Sequence, residues 1–292
     1  MSLPFVSVIV PVWNSPELLA KCLDALALQT YPAGRFEVLV VDNGSTDATP
    51  QVARRYGAVT LLHEPNPGSY NARNAGLARA QGDWIAFTDA DCVPAPDWLE
   101  AGVRAAGSNP GAGVLAGRIE LFRSDPDASD ACAKFEQMFG FRQSLNVAKG
   151  FCVTANWMSP RRVLQALGGF NGALKSGGDG EMAQRIAAAG HPLVYAPEMV
   201  IAHPVRGDLR ELLAKRRRVV GGAWARLESP ARPLTLFRST LANGVRKGWE
   251  VVRARELAAL DRLKLSGIVL LALGVELAEV LRLTGGGKPT RA

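Results

Sequence analysis

Four short runs rich in β-branched and aromatic residues, 5–10, 36–41, 59–62 and 84–87, are separated by segments of helical periodicity. This rhythm constrains the fold more than any other feature of the chain. Phe5-Val-Ser-Val-Ile-Val10 reads as a buried strand. The segment 16–28 follows with Leu18, Leu19, Cys22, Leu23 and Leu26 at helical spacing, Ser15 placed as N-cap and Pro16 at the first helical position. Further helices are expected at 46–56 and 71–80. Strands alternating with helices at this spacing predict an α/β fold with a mostly parallel, Rossmann-like sheet and helices on both faces. In such sheets ligands bind beyond the carboxyl ends of the strands. The loops after Val10, Val41, Leu62 and Phe87 are therefore where function is expected.

Past Pro96 the rhythm loosens. Helices are expected at 97–106, 160–167 and 180–188, strands at 113–119 and 151–157, a polar loop at 122–129 and extended chain at 193–195. From about 208 onward the chain reads as helical and basic, which divides it into an α/β domain, 1–205, and a C-terminal helical extension, 206–292.

The formal charge of +7 is uneven: residues 201–292 hold 18 Lys and Arg against 8 Asp and Glu, while residues 1–200 hold 16 against 19. The densest point is Lys215-Arg216-Arg217-Arg218. Such asymmetry fits an anionic partner (a membrane surface, nucleic acid or a phosphorylated acceptor) or a solvated basic helix. No basic motif interleaved with aromatics is present, so a nucleic-acid partner is not expected and an anionic membrane surface is favoured. The segment 265–275 is either interfacial or a buried core helix, and no run reaches the ~18 apolar residues of a membrane span. Four dispersed cysteines without a C-x-x-C pair fit a reducing cytoplasm, and the N-terminus lacks the pattern of a signal peptide.

The strand-end loops carry the chemistry. Val41 leads into Asp42-Asn-Gly-Ser-Thr-Asp47, and Phe87 into Thr88-Asp89-Ala90-Asp91. Leu62 leads to a glycine turn at Gly68 that opens a helix bearing Asn71 and Arg73. A helix N-terminus presents unpaired N–H groups to phosphate, and an arginine in its first turn adds a two-pronged donor. Two aspartates one residue apart suit a hard divalent cation, Mn²⁺ or Mg²⁺, shared with substrate phosphates. An Asp-x-Asp triplet by itself also ends strands and caps helices; three strand-end loops equipped for one diphosphate make the binding reading the stronger.

With these residues in hand, the sequence resembles the family 2 glycosyltransferases, which have the GT-A fold. The matching blocks are Val6-Ser-Val-Ile-Val-Pro-Val-Trp-Asn14, Val40-Val-Asp42-Asn-Gly-Ser-Thr-Asp47, Asn71-Ala-Arg73-Asn-Ala-Gly76, Phe87-Thr-Asp89-Ala-Asp91, Gly168-Gly-Phe170 and the acidic segment at Asp179. They run in order over roughly residues 4–205 and fade after that. The resemblance implies that Pro11, Val12 and Asn14 border the nucleotide, that Asp42 binds its base, and that Gly68, Asn71 and Arg73 lie near the diphosphate. It further implies that Asp89 and Ala90 meet the ribose or the metal, that Asp91 is the principal metal ligand, and that His203 is either a further ligand or an ordinary loop histidine. In the segment Ser176-Gly-Gly-Asp179-Gly-Glu181, Gly178 stands where relatives often carry a first acid. Asp179 is the expected catalytic base, with Glu181 in reserve. Asn156 and Trp157 fall in the region that forms the acceptor side in relatives, although a Trp there also reads as core. His63 and His191 carry no motif and read as structural or surface residues.

The reaction implied is metal-dependent, inverting transfer from a nucleotide-diphosphate sugar, a UDP-sugar by default and a GDP- or dTDP-sugar otherwise, to an acceptor hydroxyl. A lipid-linked acceptor or a cell-surface glycan precursor would suit the basic tail. The Gln-x-x-Arg-Trp signature of processive synthases is absent, which favours single additions. Two other readings stand beside this one: a nucleotide-sugar-binding protein that has lost catalysis, and a sugar nucleotidyltransferase. Gly285-Gly-Gly287-Lys288 does not make a phosphate loop, because Pro289 follows the lysine and no strand precedes it.

Overall fold

The computed structural model describes residues 3–123 and 129–289; most of the loop expected at 122–129 lies outside the described residues. In chain order the strands are β1 (Val6–Val12), β2 (Phe36–Asp42), β3 (Val59–His63), β4 (Trp84–Thr88), β5 (Val93–Pro94), β6 (Val114–Phe122), β7 (Asn156–Pro160) and β8 (Leu193–Pro204). The helices are α1 (Pro16–Ala27), α2 (Thr49–Arg54), α3 (Ser69–Arg79), α4 (Trp98–Ser108), α5 (Asp130–Phe139), α6 (Gln143–Ala148), α7 (Arg161–Ala166), α8 (Gly178–Ala188), α9 (Leu209–Arg226), α10 (Arg232–Arg253) and α11 (Ala259–Thr284).

The strands form one sheet in the order β3-β2-β1-β4-β7-β6-β8-β5. The four strands legible as a parallel set are parallel: β1 pairs with β2 and β4, and β2 with β3. Beyond β4, the pairs β4 with β7, β7 with β6, and β8 with β5 are antiparallel. Every residue of β1 is buried, which explains its unbroken apolar run. Helix α3 lies close against it. A Cβ at Gly76 would meet the Ile9 side chain at 2.5 Å, so only glycine admits this approach, and the approach sets where Arg73, one turn earlier, emerges.

Two compact units are distinguished, residues 3–120, 142–173 and 178–203 in one, and residues 121–123, 129–141, 174–177 and 204–289 in the other. Helix α5 thus belongs with the C-terminal helices although it precedes residue 205. Its Cys132 and Phe135 share a core with Leu212, Val251, Leu265, Ile268 and Val269.

Several elements differ from the sequence expectation for local reasons. The strand expected at 151–157 starts only at Asn156, because the Gln143 side chain satisfies the backbone of Val153 on both sides, accepting from its N–H at 3.0 Å and donating to its carbonyl at 3.2 Å. Helix α2 begins at Thr49 rather than 46, since Thr46 N–H donates to Asn14 Oδ1 at 2.8 Å and Asp47 Oδ1 accepts from Thr49 N–H at 2.9 Å. No described helix is long and apolar enough to cross a membrane. The segment 265–275 is half core: Leu265, Ile268, Val269 and Ala272 are buried, while Leu270 and Leu271 are exposed.

Candidate active site

Strand register brings the loop residues to one edge of the first unit. Val12 lies opposite Asp42, and Asp42 opposite His63, across β1, β2 and β3. Ile9 lies opposite Phe87, which puts Asp89 just past the end of β4 on the other side of β1. With strands about 4.8 Å apart, the backbones of Asp42 and Asp89 are separated by about 10 Å.

Asp42 is 4% exposed. Its Oδ1 accepts from the Ser45 N–H at 3.1 Å, the turn-forming role open to an aspartate there, while Oδ2 faces His63 Nδ1 at 3.3 Å. Sequence reasoning left His63 without a role; its place opposite Asp42 in a parallel pair was the available signal. Asn43 ties the loop after β2 to the turn before α3: its Oδ1 accepts from Gly68 N–H at 2.6 Å, and its Nδ2 donates to the carbonyls of Glu64 and Asn66 at 2.9 and 2.8 Å. Gly68 has φ +130°, which favours glycine at this turn. After β1, Pro11 and Val12 are buried, whereas Trp13 is 59% exposed, and Asn14 N–H donates to Ser45 Oγ at 2.9 Å. Asn71 is half-buried, its Nδ2 donating to the Pro67 carbonyl at 3.2 Å.

Arg73 is 3% exposed and its guanidinium is ion-paired with Asp89. The guanidinium carbon lies 5.7 Å from the centre of the Tyr70 ring, and Nε has no partner among the described residues. A buried donor left unpaired costs about 1–3 kcal/mol, so this arginine keeps capacity for an anionic group. Ala90 is buried between the two acids. Asp91 Oδ2 lies 3.5 Å from Nε2 of the buried His203, and Cys92 Sγ donates to Asp91 Oδ1 at 3.7 Å. Asp91, Cys92 and His203 offer donor atoms within 4.8 Å of one another. The Asp91–His203 separation is near the ~3 Å between neighbouring ligand atoms around a cation bound at 2.0–2.1 Å. An oxygen and an imidazole nitrogen suit Mn²⁺. The Cys92 thiol is pushed well up by burial and by the charges of Asp91 and Asp89, which keeps it neutral. Cysteine dispersion in the sequence gave no hint of its position here.

Asp179 lies in the first turn of α8 rather than ahead of the helix. Its Oδ1 accepts from its neighbour Gly180 N–H at 3.0 Å and from the Tyr70 hydroxyl at 3.3 Å. That hydroxyl in turn accepts from Gly178 N–H at 2.8 Å. Burial raises the Asp179 carboxyl above the usual carboxylate range against the pull of Gly180, Arg73 and Tyr70, and the charge of Asp89 adds to the rise. The departure at Gly178 has a steric reason: a Cβ there would stand 2.7 Å from the Tyr70 ring. Glu181 is instead ion-paired with Arg185 at 2.7 Å, and Arg185 also donates to the carbonyls of Leu167 and Gly169. The segment Gly168-Gly-Phe170 is held by Asn74, which exchanges two hydrogen bonds with the Phe170 backbone at 2.7 and 2.8 Å.

Asn156 and Trp157 do not face an acceptor. Both are 0% exposed, because β7 is an interior strand between β4 and β6. Asn156 accepts from Trp98 Nε1 and donates to the Arg118 and Met199 carbonyls, and the Trp157 indole N–H donates to Ser159 Oγ. Their polar atoms are spent on the sheet, and the acceptor-side expectation is corrected to a core role.

Known proteins match this chain over the same elements. The family model described as Glycosyl transferase family 2 matches residues 7–168. The glycosyltransferase AglE of Haloferax volcanii is 37% identical over 227 residues, 76% of this chain and 73% of that protein. The pre-mycofactocin glycosyltransferase of Mycobacterium tuberculosis is 29% identical over 238 residues, 76% of this chain but only 47% of that protein. Among solved structures, the mannosyltransferase PcManGT of Pyrobaculum calidifontis, in complex with GDP-Man and Mn²⁺, superposes with a TM-score of 0.64 at 25% identity, covering 95% of this chain and 88% of that one. Residues 1–349 of TarS from S. aureus, in complex with UDP-GlcNAc, share the fold, with a TM-score of 0.59 at 16% identity over 97% of this chain and 92% of that one.

Proposed function

The chain belongs to glycosyl transferase family 2 and is a glycosyltransferase of GT-A fold, and from that premise we propose that it makes single, inverting, cation-dependent transfers from a nucleotide-diphosphate sugar to an acceptor hydroxyl. The observation that carries this reading is the cluster at the end of β4, where Arg73 is paired with Asp89 while Asp91 faces His203. Asp91, with His203 and Asp89, would hold Mn²⁺ or Mg²⁺. Bound there, the cation supplies Lewis-acid relief of the negative charge that develops on the departing nucleoside diphosphate. The complex of PcManGT with GDP-Man and Mn²⁺ supports both the donor class and the metal. A UDP-sugar remains the donor proposed, with a GDP-sugar as its competitor.

Asp42 takes the donor base beside the chain of Pro11, Val12 and Asn14. Gly68, Asn71 and Arg73 serve the diphosphate, where the unpaired Arg73 Nε meets an oxygen, and Ala90 borders the ribose. Asp179 accepts the proton of the acceptor hydroxyl as that oxygen attacks the anomeric carbon from the face opposite the leaving group, which inverts the centre. Glu181 serves by holding Arg185. The proposed setting is the cytoplasm, in keeping with four buried free cysteines, with the region 206–292 on the inner face of an anionic membrane and a lipid-linked or glycan-precursor acceptor.

The test is Asp179→Asn. Sugar transfer, followed as release of nucleoside diphosphate with Mn²⁺ present, should fall at least about a thousandfold, at the level of a lost general base, while nucleotide binding stays within about twofold. Full activity in the variant would remove Asp179 from the role.

A further inference from the structure

We propose that helix α10 is the face by which this protein lies on an anionic lipid bilayer. The proposal rests on the reading that the region 206–292 meets a membrane, and deepens it by naming the surface. One side of α10 is committed to the protein: Leu236, Thr240 and Val251 are buried, and a Cβ at Gly244 would stand 2.7 Å from Leu273 of α11. A different side carries Leu234, Phe237, Leu241, Val245, Trp249 and Val252, recurring every three or four residues and 37–58% exposed. At 1.5 Å per residue this stripe is about 27 Å long. An apolar strip of that length left to water marks an interaction surface.

Charge identifies the occupant. Arg238, Arg246 and Arg253 line an open concavity together with Leu241, Val245 and Trp249 of the stripe. The Arg253 guanidinium lies 5.1 Å from the Trp249 ring, and Arg246 reaches Glu250. The whole helix holds five Lys and Arg against that single acid. A bilayer offers both halves of the complement at one boundary: acyl chains for the stripe and anionic headgroups for the arginines, with an indole at the level where the two meet. A second copy of this face would set the same three arginines against one another. Nucleic acid would leave the apolar stripe without a partner. The basic run at 215–218 does not compete for the role, because Lys215, Arg216 and Arg217 are paired with Glu136, Glu276 and Glu279 inside the unit.

The experiment is co-sedimentation of the full chain with phosphatidylcholine vesicles and with vesicles that also contain phosphatidylglycerol. Three variants are compared with the unaltered chain: Leu241→Gln/Trp249→Gln, Arg238→Gln/Arg246→Gln/Arg253→Gln, and Leu28→Gln, which alters a 71% exposed leucine elsewhere. The unaltered chain should bind the anionic vesicles well above the neutral ones. Each α10 variant should weaken that binding at least about tenfold, with the Leu28 variant unchanged, and with thermal midpoint and nucleotide affinity preserved in all three. Binding to anionic vesicles that survives both α10 variants would overturn the assignment to α10 and leave the membrane reading standing. Negligible binding of the unaltered chain to both vesicles would overturn the two together. A dimer in solution that the Leu241/Trp249 variant dissolves, without vesicle binding, would overturn the proposal in favour of self-association.

Discussion

Asp179 shows how far residue-scale chemistry could be read ahead of the structure. The acid itself was legible from the family's blocks, as were Asp89 and Asp91, because each sits beside a local signal such as a strand end or a glycine pair. Its partner was not. Tyr70 lies 109 residues earlier in the chain and meets Asp179 only where the first turns of α3 and α8 come together, and Gly178 reads as a lost acid in the sequence although the Tyr70 ring stands in its Cβ space. The phenol is pushed up to about 12 by burial and by the Asp179 charge, so it remains a donor at all working pH values. A base works only when ionised, and burial raises the Asp179 carboxyl. The acidic limb of kcat/KM should therefore lie above the ordinary carboxylate pKa, with activity lost as pH falls through it. Tyr70→Phe removes a hydrogen bond that favours the ionised form. It should move the limb to still higher pH and lower kcat about tenfold, the scale of one hydrogen bond to a charged group. A pH–rate profile decides this: a fall in kcat with the limb unmoved would make Tyr70 only a packing residue.

At the scale of elements, β1 to β4 and α1 were legible because period and composition agree along each of them. The end of the sheet that turns antiparallel was less so. β7 is displaced from its expected span by the Gln143 side chain, and Trp157, which suits a sugar-binding surface by type, is interior because of strand order. Composition also misled at 215–218, where the densest basic run neutralises Glu136, Glu276 and Glu279, which are 3%, 5% and 2% exposed. A carboxylate buried within one unit cannot be matched to its cation from sequence spacing, since 60 residues separate Arg216 from Glu276. Arg216→Met would strand the Glu276 charge and should lower the free energy of unfolding by about 3 kcal/mol in a urea titration. Adding Glu276→Leu should recover most of that loss. Unchanged stability in the single variant would mean that the pair contributes nothing.

For the whole molecule, the change in charge and periodicity suggests a boundary at 205, but residues 129–141 with α5, and 174–177, group with the C-terminal helices from within the earlier stretch, which no linear reading of composition could reveal. The residues proposed as catalytic lie in the unit built on the sheet, and the exposed apolar stripe lies on the helical one. The account depends on the acids at the end of β4 binding a cation together with a nucleoside diphosphate, before any acceptor is involved. Thermal unfolding with UDP or GDP, with and without Mn²⁺, tests that directly, because a ligand that binds only the folded chain raises its midpoint. The midpoint should rise with nucleotide and Mn²⁺ together, far less with either alone, and the joint effect should vanish in Asp91→Asn. A nucleotide-induced rise of equal size without the cation, or one retained in Asp91→Asn, would contradict the account.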